Sequence, residues 1–217
     1  MKILNAQEDK ALKQWESHDL LYHKRSRCTS QFWRSGATFR FKDTIALKSP
    51  IKKTNSDTLI PLYKPNIEYL SQNDMTFTKV LQSRKSCLEH CKTITIKELR
   101  EFLYRAARIK SIFKQGPFEF IKANYPSAGS IYETEINLII QKCSGLEQGV
   151  YHYDRDVHSL SRINDMTDEA EQLLVSNNYQ NLKNEDIQIL FIFSSRFQRI
   201  AWKYEGIAYS VMLKNAG

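Results

Sequence analysis

In Thr95-Ile-Lys-Glu-Leu-Arg-Glu-Phe-Leu-Tyr-Arg-Ala-Ala-Arg-Ile109, apolar residues return at intervals of three and four. Ile96, Leu99, Phe102, Leu103, Ala106, Ala107 and Ile109 then share one broad stripe, which predicts an amphipathic helix. Thr95 and Glu98 have the capping-box spacing, in which hydroxyl and carboxylate each satisfy a backbone N–H that the first turn leaves open. Such a stripe needs another layer to cover, and the sequence downstream supplies one. Gly116-Pro117 breaks the helical pattern, and Tyr125 to Gly129 makes a turn. Glu135 to Gln141, rich in isoleucine, predicts a strand. Val150 to Tyr153 predicts a second short strand, after the Gly145 to Gly149 turn. Thr167 to Val175 predicts a helix. Ile187 to Phe193 is an almost continuous apolar run, suited to a strand buried on both faces. Arg199 to Lys214 predicts a last helix with Ile207, Val211 and Met212 inward. Upstream, Met75 to Arg84 predicts a short helix with Phe77, Val80 and Leu81 on one face. This mixed order points to α+β or α/β layers over one sheet.

Residues 1–73 form a different region. Glu8 to Glu16 is helix-like, and His18 to His23 follows it. Lys48 to Ser71 is polar and proline-containing, and it predicts an extended, loop-rich connector. Residues 1–73 are therefore expected to be an N-terminal extension to a domain that begins at Asp74. There are no internal repeats.

A chain of 217 residues is long enough for one domain with a real core plus an extension. With 41% hydrophobic and 12% aromatic residues it belongs with globular rather than disordered chains. No apolar run approaches the ~18 residues of a membrane span. The charged start lacks a signal core, which implies a cytoplasmic protein. The net charge of +8 is scattered and reads as surface solubility; no basic helix interleaved with aromatics suggests nucleic acid. Cys87, His90 and Cys91 lie close together, but Cys28 and Cys143 are isolated. Zinc needs a second ligand pair, so reduced thiols and no metal are expected. His152 and His158 read as surface or satisfied histidines, and Asp154 and Asp156 as turn residues.

Six segments together resemble the SagB-type azoline dehydrogenases of the FMN-dependent nitroreductase superfamily. They are Trp15-Glu-Ser-His-Asp-Leu-Leu-Tyr-His-Lys-Arg-Ser-Arg27, Val80-Leu-Gln-Ser-Arg-Lys-Ser86, Leu99 to Arg108, Tyr125-Pro-Ser-Ala-Gly-Ser-Ile-Tyr-Glu133, Gly149-Val-Tyr-His-Tyr-Asp154, and Arg196 to Tyr209. The resemblance implies an α+β, nitroreductase-like fold that is incomplete at the C-terminus, since family members continue beyond a segment like Lys214-Asn-Ala-Gly217. It also implies FMN as cofactor, held at its phosphate end by Arg84, Lys85 and Ser86, with Pro126, Ser127, Ala128 and Gly129 against the ring. By chemistry alone, Arg84 suits either a phosphate or a helix C-terminus. The Pro126–Gly129 turn on the same terms is an ordinary loop before a strand. Lys85 replaces the usual second arginine, and Leu88 stands where the family carries a basic residue. That removes one charge-assisted contact, worth roughly 1.5 to 3 kcal/mol where it exists.

Lys203 and Tyr204 match a Lys-Tyr pair used in azoline oxidation, which implies that Lys203 accepts a proton and Tyr204 supports it. Without the resemblance, the pair would be a surface lysine beside a partly buried tyrosine. The implied activity is oxidation of thiazoline or oxazoline rings in a modified peptide. A general flavin nitroreductase or quinone reductase using NAD(P)H is the alternative enzyme. A truncated, inactive binding partner in a peptide-maturation complex is the alternative from another class. The expected partners are a peptide substrate and either a second copy, as a homodimer, or a complementing chain.

Overall fold

A computed structural model describes residues 16–26, 36–52, 59–86, 92–178 and 187–217. In chain order the elements are α1 (Ser17–Ser26), β1 (Leu59–Pro61), α2 (Ile67–Asn73), α3 (Phe77–Ser83), α4 (Ile96–Ala107), β2 (Ile109–Gln115), β3 (Phe118–Ala123), β4 (Thr134–Ile140), β5 (Gly149–Asp154), β6 (Ser159–Asn164), α5 (Asp168–Asn178), β7 (Ile189–Ser195), α6 (Phe197–Lys203) and α7 (Ala208–Ala216). Contacts divide the chain into two units. One is residues 49–194, and the other joins residues 1–48 to residues 195–217.

The continuous unit is built on a five-stranded sheet in the order β1-β6-β5-β4-β7. The pairs β1/β6, β5/β6 and β4/β5 are antiparallel. Strand β4 explains the layering. Its side chains alternate between faces with period two. Ile136, Leu138 and Ile140 join Leu99, Leu103 and Ala107 of α4 in the main core, with Tyr151, Tyr153 and Leu160 from the neighbouring strands. Ile139 points the other way, onto Ala170 and Leu174 of α5. A sheet with a helix on each face buries the middle strands twice over, which is why β4 carries so continuous an apolar run. Strand β7 divides its residues in the same manner. Ile189 and Phe191 go to the α4 side, and Leu190 and Ile192 to the α5 side. All four are only partly buried, because β7 ends the sheet order.

The capping box forms as expected. Thr95 Oγ1 accepts from Glu98 N, and Glu98 Oε2 accepts from Thr95 N at 2.9 Å. The helix stops at Ala107, however. Arg108 is already extended, and Ile109 begins a strand rather than ending the stripe. Strands β2 and β3 form a separate two-stranded hairpin about Gly116, pairing Phe113 with Phe120 and Gln115 with Phe118. Lys48 to Ser71 is not wholly loop. It holds β1 at the sheet edge, where Pro61 removes no needed ladder bond, and the first turns of α2, whose N-cap Asn66 accepts from Tyr69 N. The helix predicted over Met75 to Arg84 forms as α3, yet Phe77, Val80 and Leu81 are all exposed. Cys28, Cys87, His90, Cys91, Leu88 and the stretch from Glu8 to Trp15 lie outside the described residues.

In the discontinuous unit, the helix expected over Arg199 to Lys214 is two helices. Tyr204 is extended at φ −115°, ψ 131°, and Glu205 and Gly206 turn the chain before α7. Ile207 is buried, as its place in the pattern predicts. Helix α1 lies against α7. Among the described residues, no helix is long and apolar enough to cross a membrane.

Candidate functional site

The expected cofactor residues all belong to the continuous unit. Arg84, Lys85 and Ser86 follow the end of α3, with Arg84 its extended C-cap, and all three are exposed. Two cations and a hydroxyl in succession, open to solvent, form a donor set suited to a dianionic phosphate.

Pro126 to Gly129 lies in a loop held in an unusual conformation. Gly129, Ser130 and Tyr132 have φ of 59°, 57° and 49°. Glycine adopts such values freely, but serine and tyrosine do so at a cost of about 1 to 3 kcal/mol each. Local bonds hold the shape. Tyr132 N donates to Ser127 Oγ at 2.9 Å, Tyr132 Oη donates to the Tyr125 carbonyl at 3.2 Å, and the two rings meet edge to face. Pro126 and Gly129 stay exposed at the crest, so a flat ligand can approach the backbone there.

Beneath the loop lies a buried ionic cluster. Arg155 Nη1 donates to Tyr125 Oη at 2.5 Å, and Arg155 Nη2 is 3.7 Å from Glu135 Oε1. The other carboxylate oxygen of Glu135 is 3.3 Å from His152 Nε2. Glu135, His152 and Arg155 are each under 5% exposed. The sheet brings them together: Asn137 pairs with His152, so Glu135 and His152 share a face of β4 and β5. Ile51, Lys52, Asp154 and Asp156 complete a small cleft beside them. Burial, then the charge of Asp154, pushes the Asp156 carboxyl up. Asp154 Oδ1 accepts from Asp156 N and Val157 N, which makes it the turn residue the sequence suggests. His158 is buried too, its Nδ1 2.7 Å from Tyr153 Oη. Both histidines are therefore buried groups with a side-chain partner, and not surface ones. No group of three or more metal-ligating side chains occurs among the described residues.

Lys203 and Tyr204 lie in the discontinuous unit, at the end of α6. Lys203 is half-buried and Tyr204 buried. The Lys203 ammonium stands 5.1 Å from the centre of the Phe39 ring and 5.7 Å from that of Tyr204. Burial lowers its pKa from the ordinary lysine value. That is the direction a proton acceptor near neutral pH requires.

Residues 1–31 match the family model for the cyanobactin oxidase ThcOx; this stretch includes the His18-Asp19 and His23 segment. A protein of Methanocaldococcus jannaschii named as a nitroreductase, MJ1384, is 33% identical over 102 residues, 46% of each chain. A crystal structure of an Anabaena variabilis protein named as a nitroreductase superposes with TM-score 0.58 and 20% identity. It covers 88% of this chain and 34% of that one. The likeness to that structure is one of fold, and the α+β layers of this chain are nitroreductase-like. The Escherichia coli microcin synthetase complex McbBCD, solved with a truncated pro-MccB17 bound, gives TM-score 0.43 at 14% identity over 94% of this chain and 80% of that one. That value is too low to bear on fold or function. The chain spans about half the length of the curated relative it matches.

Proteins of the nitroreductase superfamily generally bind flavin. The residues of this chain fit one in chemistry: an exposed Arg-Lys-Ser donor set, and a strained turn with Pro126 and Gly129 exposed. The sequence did not single out Glu135, Arg155 or Tyr125. A glutamate inside an isoleucine-rich strand was the available signal, because a charge buried on a middle strand needs a partner.

Proposed function

We propose that this chain is part of a flavin-dependent oxidoreductase that converts azoline rings of a modified peptide to azoles. The observation that carries the reading is Lys203. It is a half-buried lysine of lowered pKa, at a helix end, against two aromatic faces and beside a buried tyrosine. Aromatising an azoline removes one proton and one hydride equivalent. Lys203 Nζ accepts the proton, and Tyr204 supports it. FMN, when bound, supplies the two-electron oxidant. Arg84, Lys85 and Ser86 hold its phosphate, and Pro126 to Gly129 meet its ring.

In the same reading, amino-terminal residues ahead of β1 contact the peptide, and the sheet with its helices belongs to the flavin domain. A second copy or a complementing chain completes the enzyme, which works in the cytoplasm. The matches to proteins named as nitroreductases support a second reading, a general flavin reductase using NAD(P)H and small acceptors.

The test uses Lys203→Ala in the complemented enzyme. The variant is expected to retain flavin absorbance after dialysis and to lose azole formation. An unchanged azole yield removes Lys203 from the mechanism. Turnover of nitroaromatics but not of a heterocyclised peptide favours the second reading. A colourless protein that excess FMN does not stabilise against heat removes the flavin.

A further inference from the structure

The segment from Gly36 to Phe39 crosses the end of α6. Thr38 N donates to the Lys203 carbonyl at 3.0 Å, and Phe39 N reaches the same oxygen at 3.4 Å. That carbonyl is in the last turn of α6, where acceptors lack partners within the helix. Ala37 bridges Tyr204 in antiparallel fashion. Gly36 is what lets the crossing come so close. Its φ is +70°, and a Cβ there would stand 2.1 Å from Ile207 Cδ1.

Phe39 is the odd residue of the segment. Its φ is +53°, a left-handed value that glycine or asparagine adopts far more easily than a bulky side chain. The turn alone therefore does not explain a phenylalanine. What the residue adds is a ring. Its edge-to-face partner, 6.0 Å away, is Trp202, which is itself fixed by a 2.6 Å bond from Nε1 to the Ile45 carbonyl. Its face looks at the Lys203 ammonium. Strain kept at one residue beside a reactive group is the pattern expected where the strained side chain serves the site.

We propose that Phe39 is a positioning residue for Lys203, its strained turn holding an aromatic face over the ammonium and keeping water from it. The proposal deepens the reading of Lys203 as proton acceptor. Burial is the cause of the lowered Lys203 pKa, and the ring is part of that burial. Several charged groups nearby, among the described residues, have partners of their own. Arg40 pairs with Glu205, Arg199 donates to the Lys48 carbonyl, and Lys48 Nζ donates to Gln198. Lys42 and Asp43 lie on the exposed turn beyond.

Titration of Lys203 in the full chain, followed by NMR of 13C-labelled lysine side chains and assigned with Lys203→Arg, tests this without flavin or substrate. Phe39→Leu keeps an apolar cover and is expected to leave the midpoint nearly unchanged. Phe39→Ala admits water and is expected to raise it by about half a pH unit or more toward the ordinary lysine value. Phe39→Gly relaxes the left-handed turn while removing the cover, so a raised midpoint in that folded variant separates loss of cover from loss of fold. Unchanged midpoints in both the alanine and glycine variants overturn the proposal. A raised midpoint with undiminished azole formation in the loaded enzyme keeps Phe39 as the cover and removes Lys203 as the base. An unmoved midpoint, together with loss of azole formation in Lys203→Ala, does the reverse.

Discussion

Arg155 joins two features that differ in kind, an exposed strained loop and a buried carboxylate. Its guanidinium serves Tyr125 Oη and Glu135 while almost wholly out of water. Taking the arginine away leaves Glu135 buried without its cation, and a broken buried pair is far costlier than a broken surface one. Arg155→Met is expected to lower unfolding free energy by about 3 kcal/mol in urea titration. Tyr125→Phe, which removes only the hydroxyl, should cost about 1 kcal/mol. The double variant Arg155→Met, Glu135→Met should recover part of the loss, because no unpaired charge remains. A single-variant loss no larger than that of a surface substitution would rule the cluster out as a support. None of this could be read from spacing. Tyr125 and Arg155 stand thirty positions apart, and only the register of β4 on β5 makes neighbours of Glu135 and His152. The loop was visible as a turn through Pro126 and Gly129. Its left-handed Ser130 and Tyr132 were not, since those residue types carry no such preference.

At the scale of elements, what is local was legible. The α4 cap was found to the residue, because its signal is contained in four positions. Glu98 accepts from Lys92 and from both the backbone and hydroxyl of Thr95, and these bonds bring its pKa from 4.5 to about 2. A carboxylate whose pKa is lower when folded adds stability above the unfolded value of 4.5 and loses it as pH falls toward 2. The native chain is therefore expected to lose more stability between pH 5 and pH 2 than Glu98→Gln does, as measured by thermal melts across that range. Equal losses would mean that the box forms without the charge mattering. Elements whose pairing is remote were missed. Strand β6 has too few apolar residues to announce itself, and it exists because β5 and β1 flank it. Strand β2, Ile-Lys-Ser-Ile-Phe-Lys-Gln, has no strict alternation and is almost wholly exposed. The helical stripe before it extended one step too far into Ile109. Helices α6 and α7 were merged because their apolar positions stay in phase across the Tyr204 break.

The whole molecule pairs a continuous unit with a discontinuous one. Both core clusters around the five-stranded sheet lie within residues 49–194. A chain limited to those residues is expected to fold alone, with a cooperative thermal transition and native-like circular dichroism. A gradual, sloping melt would show that it depends on the rest. Such a division was hidden from the sequence, where a boundary shows as a change of composition and not as two distant stretches meeting. The meeting also sets an order of events during synthesis. Trp202 reaches back to Ile45 across 157 positions, so that contact waits until nearly the whole chain has been translated. At roughly 5 to 20 residues per second, the four strands of the five-stranded sheet that end by Asn164 have about two to eight seconds in which to pair while the stretch around Ile45 is still waiting. That interval is when a chaperone or a protease would find it.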